Sequence, residues 1–228
     1  MRHFQEDLLS GKCGRGAFKS AEILIVCSFE NHNQTLMNQD IGQPLPAAYI
    51  SIDEDTKASG FTMASDIYTC SLLKTLAAAK PGGKFLELGT GTGLSTAWIL
   101  DGMDTHSTLV SIDNDARFLQ IAQKHLADDP RLALVHADGQ EWVSAHLDER
   151  YDYIFADTWH GKYLLLNQVL DMLNPGAFYI IDDMLPQPNW PDGHDQKALK
   201  LIEYLDSRKD LAVTKQVWAT GIILAVKR

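Results

Sequence analysis

The stretch KFLELGTGTG, residues 84–93, decides the fold. Its first half is a β-favouring, mostly apolar run too short for a helix. Its second half places Gly89, Gly91 and Gly93 at alternate positions, and the helical pattern of residues 93–100 opens there. A strand that runs through glycines into a helix lets a ligand lie against bare backbone at the helix N-terminus.

Outward from this stretch the same alternation repeats. Residues 108–112, 132–136, 151–156 and 177–181 read as strands, and helices are expected over 116–126, 141–145, 163–173 and 196–207. Upstream, Ser65 and Asp66 form an N-cap pair for a helix with Ile67, Leu72, Leu73 and Leu76 on its apolar face. Pro81, Gly82 and Gly83 stop it. Nearly continuous apolar strands alternating with helices predict an α/β fold, a parallel sheet covered on both faces. The ending differs: strands over 212–217 and 222–226 are separated by four residues, including Thr220 and Gly221. That link permits a hairpin but no parallel crossover, so the sheet should finish with an antiparallel strand.

The chain has 228 residues, 45% apolar and 22% charged, as in a globular protein able to bury a full core. Its net charge of −10 argues against gripping a nucleic acid backbone. Cys13, Cys27 and Cys70 are widely spaced with no CxxC, which predicts a reduced chain with neither a disulfide framework nor a zinc site. The apolar run 23–27 is far too short to span a bilayer. A cytoplasmic protein with no membrane or nucleic acid partner is expected, with a homodimer left open. Residues 1–60 read as a poorly defined N-terminal extension or cap, and 61–228 as the domain. Gly11, Gly14 and Gly16 with Lys12, Arg15 and Lys19 look like a flexible basic lead-in without the order of a phosphate loop. Met37 stands as an alternative start, which would make the first 36 residues an extension.

In an open α/β sheet the ligand sits at the carboxyl ends of the strands. The strands end on Glu87 with the loop Gly89, Thr90, Gly91, Gly93; on Asp113 and Asn114; on Asp138 and Gly139; on Asp157; and on Asp182 and Asp183. A dinucleotide would explain the glycines and an acid for the ribose at Asp113, but Leu94 stands where GxGxxG needs its third glycine. A pyrophosphate would also be repelled by a carboxylate from each strand. S-adenosylmethionine carries a sulfonium and an ammonium instead, and an acidic rim suits it.

FLELGTGTG, SIDND, HADG and YDYIFAD, in this order and spacing, resemble the class I S-adenosylmethionine-dependent methyltransferases over about residues 60–228. The resemblance implies a doubly wound, Rossmann-like sheet of seven strands in the order 3-2-1-4-5-7-6, with helices on both faces. It implies that Glu87 and the Gly89–Gly93 loop hold the methionine part, Asp113 the ribose, and Asp138 with Gly139 the adenine edge. After the fourth strand, DTWHGKY with Asp182-Asp183 is similar to the catechol and caffeoyl-CoA O-methyltransferase group. There three acidic or amide side chains bind a divalent metal, positions matched by Asp157, Asp182 and Asp183. Ser95 matches a cofactor-contacting serine, and Ser65 lies in a segment that approaches the cofactor's amino-acid end. Asp183 replaces an asparagine of the group, and His160 replaces its catalytic lysine.

An imidazole can take a hydroxyl proton near neutral pH, and a Mg²⁺-like ion on oxygen ligands can stabilise the oxyanion. His160 and Asp157 are therefore the candidate catalytic residues. Trp159 is a candidate to flank the adenine or sulfonium by packing and cation–π attraction. Each has a plainer alternative: Asp138 as a helix cap, His160 as a solvent-facing loop residue, Trp159 as a cover for the core edge. The proline-rich segment 185–194 reads as a substrate lid or a surface loop. The expected activity is O-methylation of a small molecule. A metal-independent N-methyltransferase and a non-catalytic S-adenosylmethionine-binding module stay open.

Overall fold

The computed structural model of the chain describes residues 44–187 and 190–228. The unit Leu45–Arg228 opens with helix α1 (Tyr49–Ser59) and helix α2 (Ile67–Ala78). Five strands alternating with helices follow: β1 (Lys84–Leu88), α3 (Leu94–Gly102), β2 (Thr108–Asp113), α4 (Ala116–Leu126), β3 (Leu132–His136), α5 (Gly139–Ala145), β4 (Tyr151–Ala156), α6 (Leu166–Asp171) and β5 (Leu173–Ile181). Helix α7 (His194–Ser207) leads to β6 (Leu211–Gln216) and β7 (Ile222–Lys227).

The sheet has seven strands in the order β3-β2-β1-β4-β5-β7-β6. Strands β1 to β5 are parallel, and β7 runs antiparallel to both β5 and β6. The expected order and antiparallel finish are both present. Alternation within each strand builds two cores. Leu86, Leu88, Ile154, Tyr179 and Ile181 pack into one cluster. Phe85, Tyr153, Phe155 and Ile180 pack into another, with Ile52 of α1 and Leu73 of α2. A strand buried on both faces has no room for polar residues without partners. The exception in β1, Glu87, is described below.

Carboxylates cap three of the helices among the described residues, α2, α4 and α5. Asp66 accepts from the Tyr68 and Thr69 amides at 2.8 and 3.1 Å, and Asp115 accepts from Arg117 N at 2.9 Å. The remaining differences from the sequence expectations have local causes. Asn174, Pro175 and Gly176 do not precede β5 but lie inside it, at a register shift opposite Tyr151 and Tyr153. Helix α6 starts only at Leu166, because Gly161 and Leu165 both take left-handed backbone first. Helix α1 lies before residue 61, yet it belongs to the same compact unit and packs against α3 and α4. Its Asp55 holds Lys124 and His125 of α4, each at 2.6 Å. Cys70 is a buried free thiol; Cys13, Cys27, Met37 and the basic lead-in lie outside the described residues. Among the described residues no helix is long and apolar enough to cross a membrane.

Leu86 is fully buried at the centre of the sheet. Leu86→Ala should cost about 2–5 kcal/mol of unfolding free energy through lost transfer energy and a residual cavity. Urea denaturation of the two proteins measures it.

Candidate functional site

The carboxyl ends of the strands meet a cleft of about 500 Å³. One side is the glycine loop, Gly89 to Thr92, with Leu94 and Ser95. The loop is pinned at its base: Gly89 N and Thr90 N both donate to Ile112 O, at 2.9 and 3.1 Å. At Gly89 φ is +109°, and a Cβ would stand 2.7 Å from Thr158 Cγ2 and 3.0 Å from Asp157 O. Only glycine fits that approach of two strand ends.

Beneath the loop lies Glu87, fully buried and outside the cleft lining. Ser95 Oγ, Thr96 Oγ1 and Ser111 Oγ donate to its carboxylate at 2.7, 2.5 and 2.5 Å. The group therefore ties β1 to β2 and to the first turn of α3. Burial pushes its carboxyl up to about 7, against the pull of the three hydroxyls. Asp113 does line the cleft. Its two oxygens accept from Gly91 N at 2.7 Å and Asp115 N at 2.8 Å, which fixes both the loop and the carboxylate. Asn114 stands beside it, with Phe61 and Phe118 4.6 Å apart between ring centroids on the same wall.

The other end of the cleft is lined by Ser65, Asp157, Trp159, Lys162, Tyr163, Asp182, Asp183, Trp190, His194 and Thr220, among others. Ser65 Oγ donates to Asp157 Oδ2 at 3.2 Å. Asp182 accepts from the Thr220 hydroxyl and, at 2.8 Å, from Asp183 N. Burial first, and the mutual repulsion of the two acids next, holds the Asp157 carboxyl well above the usual carboxylate range. Burial raises Asp182 to about 6. Asp183 takes a left-handed φ of +57°.

The structure thus brings together Ser65, Gly89, Thr90, Gly91, Ser95, Asp113, Asn114, Asp157, Trp159, Asp182 and Asp183. Gly93, Asp138, Gly139 and His160 stand apart from the lining. Gly93 begins α3, with the Ala122 side chain of α4 close against it. Asp138 spends its carboxylate capping α5, accepting from Gln140 N at 2.8 Å and Glu141 N at 3.1 Å. His160 turns its ring against Gly139, where a Cβ would lie 2.7 Å from its Nδ1. The reason is Gly161: its left-handed φ of +80° reverses the chain between residues 160 and 162. His160 goes outward, and Lys162 comes into the cleft at 5% exposure. Sequence spacing alone had no access to that reversal, although a glycine between a histidine and a lysine was its one visible signal. His194 was equally unread. Its Nε2 and Tyr163 Oη are 3.2 Å apart, its Nδ1 is buried with no partner among the described residues, and the rings of Trp159, Tyr163 and Trp190 surround it.

A divalent metal fits this end poorly. Mg²⁺ requires a near-octahedral set of oxygens, but among the described residues no group of three or more His, Cys, Asp or Glu is arranged to hold an ion. Asp182 is already engaged by Thr220 and Asp183 N, and the Lys162 side chain shares the space of Asp157 and Asp182.

Residues 86–184 match a family model described as a methyltransferase domain. The fold agrees with solved structures along most of the chain. An O-methyltransferase from Bacillus cereus in complex with SAH superposes with a TM-score of 0.72, at 18% identity, covering 87% of this chain and 97% of that one. The chain has the fold of the class I methyltransferases. The methyltransferase TomG of Streptomyces achromogenes, described as an O-methyltransferase in complex with SAM, gives 0.72 at 21% identity, covering 86% and 96%. By sequence, a Mycobacterium avium protein named "Putative O-methyltransferase" is 33% identical over 91 residues, 38% of this chain and 41% of that protein. A Mycobacterium bovis relative of the same name is 32% identical over 136 residues, 51% and 61% of the two chains. The chain therefore spans about two to three fifths of the length of these relatives.

Glu87 gives the site a pH signature. Folding favours its protonated form, so the cost of ionising it grows as pH rises above 4.5 and levels off above about 7. Across that window the group removes roughly 3 kcal/mol of stability. Glu87→Gln should flatten this part of the profile, as measured by denaturation midpoints from about pH 4.5 to 8.

Proposed function

We propose that the protein is a methyltransferase that moves the methyl group of S-adenosylmethionine to a hydroxyl oxygen of a small molecule. One observation carries the reading: the glycine loop and Asp113, Asp157, Asp182 and Asp183 line one cleft at the carboxyl rim of the sheet. A sulfonium and an ammonium are attracted there, whereas a pyrophosphate would be repelled. The net charge of −10 likewise supports a small-molecule acceptor over nucleic acid, and a cytoplasmic setting is part of the same reading.

In this reading Asp113 accepts from the ribose hydroxyls, while Asn114 and Phe118 border the adenine. Ser65, Ser95 and the backbone of Gly89 to Gly91 receive the methionine end. Glu87 acts from below, by holding Ser95 and the loop in place. The acceptor enters between Trp159, Tyr163, Trp190 and His194. The step is an in-line displacement, in which positioning supplies much of the rate. The methyl carbon–sulfur bond breaks, and its electron pair stays on sulfur to leave a neutral thioether. An oxygen lone pair forms the new carbon–oxygen bond, and the hydroxyl proton departs to a base. His194 takes that role in place of His160. Burial, and then the charge of Lys162, pull its imidazole below the ordinary value, so it is neutral near pH 7. In the tautomer that donates Nε2–H to Tyr163 Oη, the lone pair lies on Nδ1.

Titration calorimetry with S-adenosylmethionine and its demethylated product tests the reading. One equivalent of each should bind, and Asp113→Ala should weaken both by about tenfold to a hundredfold, the worth of hydrogen bonds to a charged group. Binding of NAD with no response to either compound would sink it.

A further inference from the structure

Lys162 is out of keeping with its surroundings. It is 5% exposed, it lines the acceptor end of the cleft, and a lysine is almost never buried without a partner. Among the described residues its ammonium makes neither a hydrogen bond nor an ion pair within 4.0 Å. It acts at longer range on Asp157, Asp182 and His194, so it is near all three without being spent on any. Its three donors face a cleft whose remaining charged groups are carboxylates.

We propose that the Lys162 ammonium is the fixed cation of the acceptor pocket, standing where a divalent ion would otherwise serve, and that it receives the reacting oxygen of the acceptor as that oxygen loses its proton. This rests on the methyltransferase reading above and narrows it. The pocket selects an acceptor that presents an oxygen able to become anionic, and it rejects a protonated amine, which Lys162 repels. Asp182 and Asp157 stand near the ammonium while no acceptor is bound, and each already accepts a hydroxyl, from Thr220 and Ser65 respectively. The order of charges is then sulfonium, incoming oxygen and ammonium, with negative charge drawn to the atom that attacks. The displaced proton goes to His194 Nδ1, and no other co-reactant is needed.

The test uses the full chain, loaded with the demethylated cofactor, and two probes. Manganese(II) alone is followed by the electron paramagnetic resonance of the free ion. 4-Nitrophenol is followed by its phenolate absorbance. The wild-type protein should bind no Mn²⁺ at this site and should hold 4-nitrophenol as phenolate. Lys162→Ala should weaken phenolate binding at least tenfold, Lys162→Arg should restore much of it, and both variants should bind the demethylated cofactor as the wild type does. One Mn²⁺ per wild-type chain that is lost in Asp182→Asn overturns the proposal. So does phenolate bound equally by wild type and Lys162→Ala, or the absence of a phenolate signal in the wild type. The Mn²⁺ arm needs no Lys162 variant and decides even if Lys162→Ala does not fold. Failure of the wild type to bind the demethylated cofactor would strike the methyltransferase reading itself, and is read separately.

Discussion

A carboxylate in a sheet with both faces buried is tolerated only when its oxygens are filled, and Glu87 meets that condition with three hydroxyls from two neighbouring elements. The rest of the cleft follows from it. Ser111 fixes β2 beside β1 and passes a further contact to Thr90, 2.6 Å away, in the glycine loop. Ser95 and Thr96 orient the first turn of α3 over the same carboxylate. A loop of glycines has little conformational preference of its own, so its shape has to be imposed from below. Asp113 imposes it from the side through Gly91 N. The side chains that shape the glycine loop, Glu87 and Ser111, stand one layer back from the cleft.

Charge has a similar division of labour. The acids at the strand ends are not equivalent, although they look so as a series along the chain. Glu87 is structural and half neutral near pH 7. Asp138 caps a helix, and Asp113 is locked by two amides. Asp157 and Asp182 repel one another in a buried space, so Lys162 beside them relieves a repulsion as well as adding a charge.

The strand–helix alternation, the antiparallel finish and the glycine loop were legible because each depends on local pattern, whereas the strand order came with the family resemblance. Alternation in residues 84–88 and 151–156, glycines at a strand end, and a four-residue link between the last strands leave few topologies. Side-chain direction after β4 was not legible. A single left-handed glycine, Gly161, decides that Lys162 rather than His160 enters the cleft, and no spacing rule carries a backbone sign. Helix α1 was hidden for another reason. YISIDEDTKAS buries only Ile52 and Thr56, so it shows almost no apolar stripe; Ile52 joins the core, and Thr56 Oγ1 lies 2.8 Å from Thr92 Oγ1 of the glycine loop. His194 lies at the far end of a proline-rich stretch, where periodicity gives no reading at all.

The turn between β6 and β7 has a wider meaning than closing a hairpin. Its Thr220 and Gly221 carbonyls receive the amides of Leu185 and Met184, and the Thr220 hydroxyl reaches Asp182. That end of the cleft therefore joins a loop after β5 to a turn more than thirty residues later, beside the residues that follow β4. Those two parts cannot vary independently. An insertion in that turn would therefore shift the loop after β5 and the carboxylate of Asp182, and with them the shape of the cleft.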